Sequence, residues 1–363
     1  MDRAAARWPA KPAVVQGGTA RTYAQLHRRS RAAAAFLASK GVGHGDRVAF
    51  VSANSPEALE VHFAASWLGA TLVNVNVHLA PPELAYVLED SRTSCIVAQP
   101  EFGGKLAAAL EAMAPAAVAG LRCAVWAGEP PAGGVPGVPC PQYAYEAGLR
   151  AVGERADAEA FRRPAPWGER CPYHLYYTSG TTGRPKAVVL DNGIVCRHAV
   201  AAAREMAIRH SDVWGHLAPM FHLVDAFGIY SVTLVGGTHV IAPSFDAASA
   251  LLLLERERVT VTNMASTMVP LVLNSPALDF VDLSSLRVLS CGGSPLPPAN
   301  VLAAVGRLGC QFFVSYGMTE TCGKISMSIL SPAVRRLPLE RQVKLICTSG
   351  KPFALMDLRV VDG

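Results

Sequence analysis

Thr178-Ser179-Gly180-Thr181-Thr182-Gly183-Arg184-Pro185-Lys186 is the stretch on which the reading of this chain turns. Its first six residues are all Thr, Ser or Gly. Glycines let backbone N–H groups approach an anion, hydroxyls add donors, and Lys186 adds a positive charge. Such a loop suits a polyphosphate. It is not a Walker A loop, because the Gly-to-Lys spacing differs and no Ser or Thr follows the lysine. Its flanks are apolar runs, His174 to Tyr177 before and Ala187 to Leu190 after. That pattern predicts a hairpin rather than a strand leading into a helix. A flexible Ser/Thr/Gly linker would explain the composition but not the two apolar flanks.

Outward from the loop, short apolar runs alternate with helical patterns. Strands are expected over 47–52, 71–77, 95–98, 123–126, 174–177, 187–190, 213–217, 239–242, 259–263, 286–290 and 311–314. Helices are expected between them, among them 55–68 with Ser55 as N-cap, 82–90, 104–113, 143–161, 224–234, 246–258 and 297–307. Asp191 caps a helix reaching about Ile208. Alternation at this spacing predicts parallel sheets covered by helices. The fold class is therefore α/β, with two lobes, and Gly- and Pro-rich stretches at 128–141 and 162–172 punctuate the chain. The boundary is expected near 164–172, giving a first lobe over 1–168 and a second over 169–343.

The chain has 363 residues, 51% of them hydrophobic and 17% charged, which is a globular and not a disordered composition. The formal net charge of +5 is spread out. Clusters such as Arg28, Arg29 and Arg31 read as solvated helix faces, so a nucleic acid is not an expected partner. The nine cysteines form no Cys-x-x-Cys pair, which fits a reducing, cytoplasmic setting without zinc. No apolar run reaches the length of a membrane span.

Three further motifs sit at expected strand ends, where ligands of open α/β sheets bind. Tyr316-Gly317-Met318-Thr319-Glu320 offers an aromatic to stack on a base and oxygen ligands for a phosphate and a hard cation. Gly292-Gly293-Ser294-Pro295 would let a flat ring approach closely. Pro219-Met220-Phe221-His222 places an aromatic and a histidine beside a third strand end. Each has a plainer reading as a turn or a core residue when taken alone.

In this order and spacing the motifs resemble the adenylate-forming superfamily of acyl- and aryl-CoA ligases, luciferases and peptide-synthetase adenylation domains. The resemblance covers nearly the whole chain. It implies that Thr178 to Gly183 with Lys186 hold the ATP phosphates, and that Gly292, Gly293 and Ser294 lie along the adenine. It further implies that Tyr316, Gly317, Met318 and Thr319 contact the nucleotide and that Glu320 positions Mg²⁺. Lys186, His222, Thr319 and Glu320 become the catalytic candidates. Phe221, His222, Asp225, Phe227 and Gly317 become the acyl-pocket candidates. The implied reaction joins a carboxylic acid to AMP and then to coenzyme A, with a fatty or other hydrophobic acid expected.

Met318, and the segment from Phe245 to Thr262, resemble the CoA-ligase branch. Asp225 departs from it, and it reads either as an anchor for a substrate ammonium, as in amino-acid adenylation, or as a helix N-cap. The resemblance also implies a Thr-Gly-Asp motif and a C-terminal domain with a catalytic lysine, neither of which this sequence contains. Residues 344–363 are expected to begin a β-barrel subdomain cut off midway. On that expectation the chain is incomplete for full turnover, and a non-catalytic nucleotide-binding remnant or scaffold is the alternative.

Overall fold

A computed structural model describes residues 1–153, 161, 168–178 and 183–361. Two strands open the chain, β1 (Pro12–Gln16) and β2 (Thr19–Thr22). Seven more follow to residue 191: β3 (Arg47–Val51), β4 (Thr71–Asn74), β5 (Cys95–Ala98), β6 (Cys123–Trp126), β7 (Gln142–Ala144), β8 (Pro172–Thr178) and β9 (Lys186–Asp191). The rest are β10 (Val213–His216), β11 (Thr238–Ile241), β12 (Val261–Ala265), β13 (Val288–Gly292), β14 (Gln311–Met318), β15 (Gly323–Met327) and β16 (Lys351–Pro352).

The chain divides into two compact units. The first comprises Met1–Ala10 and Thr22–Ile194, and the second Lys11–Arg21 and Val195–Gly363. Each is built on one mostly parallel sheet covered by helices, as the alternation predicts. The boundary expected at 164–172 is corrected to 194/195. Strand β8 pairs parallel with β4, Leu72 opposite His174, and so draws the hairpin that follows into the first unit. Of the expected boundary and the expected 143–161 helix, only part lies within the described residues. There the helix runs Tyr145–Gly153.

The sheet of the first unit has the order β7-β6-β5-β3-β4-β8-β9. Strands β4, β5 and β6 are buried at every residue, which is what strands covered on both faces require. The helix Tyr23–Ser39 starts in a reciprocal capping box, the Thr22 hydroxyl accepting from the Gln25 backbone N–H and the Gln25 side-chain Oε1 accepting from the Thr22 N–H. The helix Pro56–Leu68 begins after Ser55, but that hydroxyl makes no cap bond and lies 3.4 Å from the Ser52 hydroxyl. Arg29 is not solvated as expected: its Nε donates to the buried Glu60 at 2.6 Å and its other nitrogens reach Glu146.

The sheet of the second unit has the order β16-β15-β14-β13-β12-β10-β11-β1-β2. Register runs parallel from β1 to β14, with Val14 opposite His239 and Cys291 opposite Val314. The apolar core under this sheet includes Leu251, Leu254, Met264, Leu289 and Val301, all fully buried. Asp246 caps the helix Ala247–Arg256 by accepting from the Ser249 N–H at 2.9 Å. Residues 344–361 form no closed barrel. They contribute the end of the helix Leu339–Ile346 and the two-residue β16, which lengthens the sheet at one edge.

Candidate functional site

Strand β14 carries the Tyr-Gly-Met segment and outruns its parallel neighbour. It pairs with β13 as far as Val314 and from Ser315 turns to pair antiparallel with β15. The expectation that the strand ends at Val314 is thereby corrected: Tyr316, Gly317 and Met318 belong to β14 itself. A register shift between Tyr316 and Gly317 leaves Gly317 opposite Lys324. Tyr316 is 46% exposed and Met318 48%, so this stretch presents an aromatic face and a thioether to solvent. Gly317 is obligatory on steric grounds, because a Cβ there would lie 2.0 Å from the Gly323 carbonyl oxygen.

A single 3-10 turn over Thr319–Thr321 closes the hairpin, with Cys322 in the left-handed region at φ 62°. The Thr321 hydroxyl accepts from the Met318 N–H at 3.1 Å and lies 2.8 Å from the Gly323 carbonyl, which pins the turn. Glu320 projects to solvent and Thr319 is half-buried. At the end of the neighbouring β13, a Cβ on Gly292 would meet the Ser315 hydroxyl at 2.6 Å, whereas a Cβ on Gly293 would meet nothing within 4 Å among the described residues. Room therefore opens beside Gly293. Ser294 hydrogen-bonds Ser266 through their hydroxyls.

His222 is exposed and is the N-cap residue of the helix Leu223–Val235. Its carbonyl accepts from the N–H groups of Asp225 at 3.1 Å and Ala226 at 2.9 Å, and its ring lies 4.7 Å from that of buried Phe221. Asp225 is neither an N-cap nor an exposed anchor. It lies in the first turn, fully buried, and accepts from Trp214 Nε1 at 3.3 Å. His216 Nδ1 lies 2.6 Å from its other oxygen, and the chain of contacts continues to His239 and Thr233. That network holds the helix to β10 and β11. Phe227 is buried edge-on to Trp214 at 5.4 Å.

Sequence reasoning missed Lys324. It stands on β15, 4% exposed, and its ammonium donates to Asn263 Oδ1 on β12 and Ser290 Oγ on β13. It also lies 4.9 Å from the Phe227 ring centre. Burial pushes its pKa down to about 7. The signal that could have found it was a lysine in a strand pattern four residues after Glu320. His198 was missed as well. Its ring bonds the Lys324 carbonyl at 2.8 Å, and burial pushes it down to about 4, so it is neutral.

In the first unit the expected hairpin is present. Strands β8 and β9 pair antiparallel, with Thr178 opposite Lys186. Lys186 is exposed and Thr178 half-buried. The Tyr86 hydroxyl donates to the Pro185 carbonyl at 3.0 Å, which anchors the end of the loop. Ser179, Gly180, Thr181 and Thr182 lie outside the described residues.

Among the described residues no three or more His, Cys, Asp or Glu side chains gather as a metal-binding group. Glu320 is a single exposed carboxylate. That donor set fits Mg²⁺, which is commonly held by one or two carboxylates together with substrate phosphates. No described helix is long and apolar enough to cross a membrane.

Comparison with known proteins bears on this geometry. The family described as AMP-binding enzyme matches residues 1–363. The chain is 33% identical over 353 residues to a feruloyl-CoA synthase of an Amycolatopsis species, covering 97% of this chain and 63% of that protein. It is 32% identical over 375 residues to a long-chain-fatty-acid–CoA ligase of Thermus thermophilus, covering 100% of this chain and 64% of the relative. The chain thus spans just under two thirds of the length of these curated relatives. Among solved structures, the inhibitor-bound N-terminal domain of FACL13 from Mycobacterium tuberculosis superposes with a TM-score of 0.80. The identity is 25%, over 97% of this chain and 81% of that one. An anthranilate CoA ligase in complex with anthranoyl-AMP shares the fold, with a TM-score of 0.84 at 24% identity over 99% of this chain and 65% of that one.

Proposed function

Because the chain belongs to the AMP-binding enzyme family, we propose that it activates an organic carboxylic acid with ATP, forming an acyl-AMP, and that coenzyme A is the thiol acceptor of the whole protein. The carrying observation is the β14 segment. It runs past its parallel partner and displays Tyr316, Met318 and, at the turn, Thr319 and Glu320 on its exposed side. A half-exposed tyrosine ring beside the open space at Gly293 suits a stacked purine. The hydroxyl of Thr319 suits a phosphate oxygen. Glu320 would hold Mg²⁺, which when bound neutralises phosphate charge.

Activation of this kind asks the protein for anion neutralisation and in-line placement rather than covalent help. Lys186 is proposed as a charge partner of the polyphosphate, from its exposure and its place at the end of the Ser/Thr/Gly loop. Buried Phe221 and Phe227 suit an acid with an apolar body. The names of the feruloyl and long-chain-fatty-acid relatives support the same reading. Asp225, with both oxygens engaged by Trp214 and His216, gives little support to an amino-acid substrate.

The test is ATP–pyrophosphate exchange with panels of fatty, aryl and amino acids, on the protein and on Glu320→Gln, over a range of Mg²⁺. Exchange with an apolar acid, weakened in the variant and partly recovered at high Mg²⁺, is expected. ATP binding with no exchange for any acid would favour a non-catalytic nucleotide-binding role.

A further inference from the structure

Lysine is almost never fully buried without a partner, because removing an ammonium from water costs several kcal/mol. Lys324 is buried, yet its contacts among the described residues are neutral: the Asn263 amide oxygen, the Ser290 hydroxyl and the face of Phe227. The Asn263 amide nitrogen donates to the Val224 carbonyl, which fixes its oxygen toward Lys324. Among the described residues Lys324 makes no ion pair. The acidic groups that act on it are Cys291 and, less strongly, Asp225, whose oxygens are engaged by Trp214 and His216. The remaining titratable neighbours are uncharged. His198 is held neutral by burial, and the Cys291 thiol is pushed up to about 11.

The place of this cation matters as much as its isolation. Lys324 lies opposite Gly317 across the β14–β15 pair, and its Cε would stand 3.8 Å from a Cβ added at Gly292. Both glycines belong to the candidate site, and at Gly292 the missing side chain leaves the lysine stem directly beside it. Phe227, the apolar wall, is the ring against which the ammonium rests.

We propose that Lys324 determines specificity for this site by pairing with a second, distal carboxylate of the organic acid, so that the substrate class is an apolar-bodied dicarboxylate rather than a plain fatty acid. The inference rests on the acid-activation reading above. It explains why a costly buried cation stands where an apolar side chain would pack more cheaply. The lowered pKa fits the same arrangement, since an arriving carboxylate favours the ammonium form and binding takes up a proton above neutral pH.

The probes are stable acyl-adenylate mimics, sulfamoyl-adenosines carrying a succinyl, glutaryl or adipyl group. Each is paired with an isostere in which an isopropyl group replaces the distal carboxylate. Calorimetry at about pH 8 in two buffers of different ionisation enthalpy reads affinity and proton uptake together. For at least one chain length the carboxylate member should bind about tenfold or more tightly, as a charge-assisted bond in a buried site warrants. Its binding should take up a proton. In Lys324→Met the preference should reverse and the uptake vanish. Lys324→Gln keeps N–H donors for Asn263 and Ser290, so it serves if the methionine variant does not fold.

Equal binding of both members at every length overturns the proposal. So does a preference that survives in both variants, or a loss shared alike by both members, which would mark Lys324 as a purely structural strut. If no mimic binds the protein while apolar acids still support exchange, the proposal falls and acid activation stands. If neither binding nor exchange occurs, both fall.

Discussion

Each unit carries an antiparallel hairpin at one side of its parallel strands, β8–β9 in the first and β14–β15 in the second, and each of these hairpins has a lysine near the start of its second strand. In the first unit Lys186 opens β9 opposite Thr178 and faces solvent. In the second, Lys324 lies one residue into β15 opposite Gly317 and is buried. Strand β9 is largely exposed, whereas β15 is buried at four of five residues. The same side chain in matching hairpins therefore meets two solvents. An exposed lysine stays hydrated and can meet an incoming phosphate. A buried one keeps its charge only against a desolvation penalty, and an anion brought by a ligand would relieve that penalty.

The sharpest way to break this contrast is through the hairpin glycines. Gly317→Ala forces a Cβ to 2.0 Å from the Gly323 carbonyl and within 2.6 Å of the Lys324 Cα. Backbone cannot yield cheaply there, so urea unfolding should show a loss of about 3 kcal/mol or more. Wild-type stability in that variant would mean that β14 and β15 are not so closely paired.

Next in size is the pH dependence that Lys324 imposes. Its folded pKa of about 7 lies below the ordinary 10.5, so the unfolded chain holds the proton to higher pH. Stability contributed by this group therefore rises with pH through the window between those two values, and the full penalty applies below it. From about pH 7 to about pH 9 the protein should gain roughly 2 kcal/mol that Lys324→Met does not gain. Parallel stability profiles for the two proteins would show that the lysine is hydrated in solution.

A smaller effect belongs to Gly183 in the first hairpin. Its φ is 109° and a Cβ would meet nothing within 4 Å among the described residues, so Gly183→Ala is expected to suffer conformational strain rather than a clash with them. A loss of about 1 kcal/mol in thermal or urea unfolding is expected. A loss as large as that of Gly317→Ala would erase the difference between the hairpins.

Smallest in stability is Lys186→Met, which should leave unfolding unchanged within about 0.5 kcal/mol, as exposed substitutions generally do. Its effect should appear in binding, as about a tenfold weaker affinity for ATP–Mg²⁺ by calorimetry. Unchanged affinity would remove Lys186 from the polyphosphate reading.

Much of this was legible along the chain. The run from Thr178 to Lys186 announced a hairpin by its flanks, and β8 and β9 form it. Buried parallel strands were readable from unbroken apolar runs such as Cys95 to Ala98, and a helix over 246–258 from its pattern, found as Ala247–Arg256 with Asp246 as its N-cap. Such features depend on residues within a few positions of one another, where period, turn chemistry and capping act.

What the sequence by itself determined is thus the α/β class, most of its elements and the motifs of the candidate site. Only the tertiary structure decided that β1 joins the sheet of the second unit beside β11, with Val14 against His239. It also decided that the units divide at 194/195, that Asp225 turns into a buried network with Trp214 and His216, and that Lys324 is sealed from water. The physical reason is common to these cases. Which edge a strand finds, and which solvent a side chain meets, depends on segments up to two hundred or so residues apart meeting in space, and no local pattern encodes that meeting.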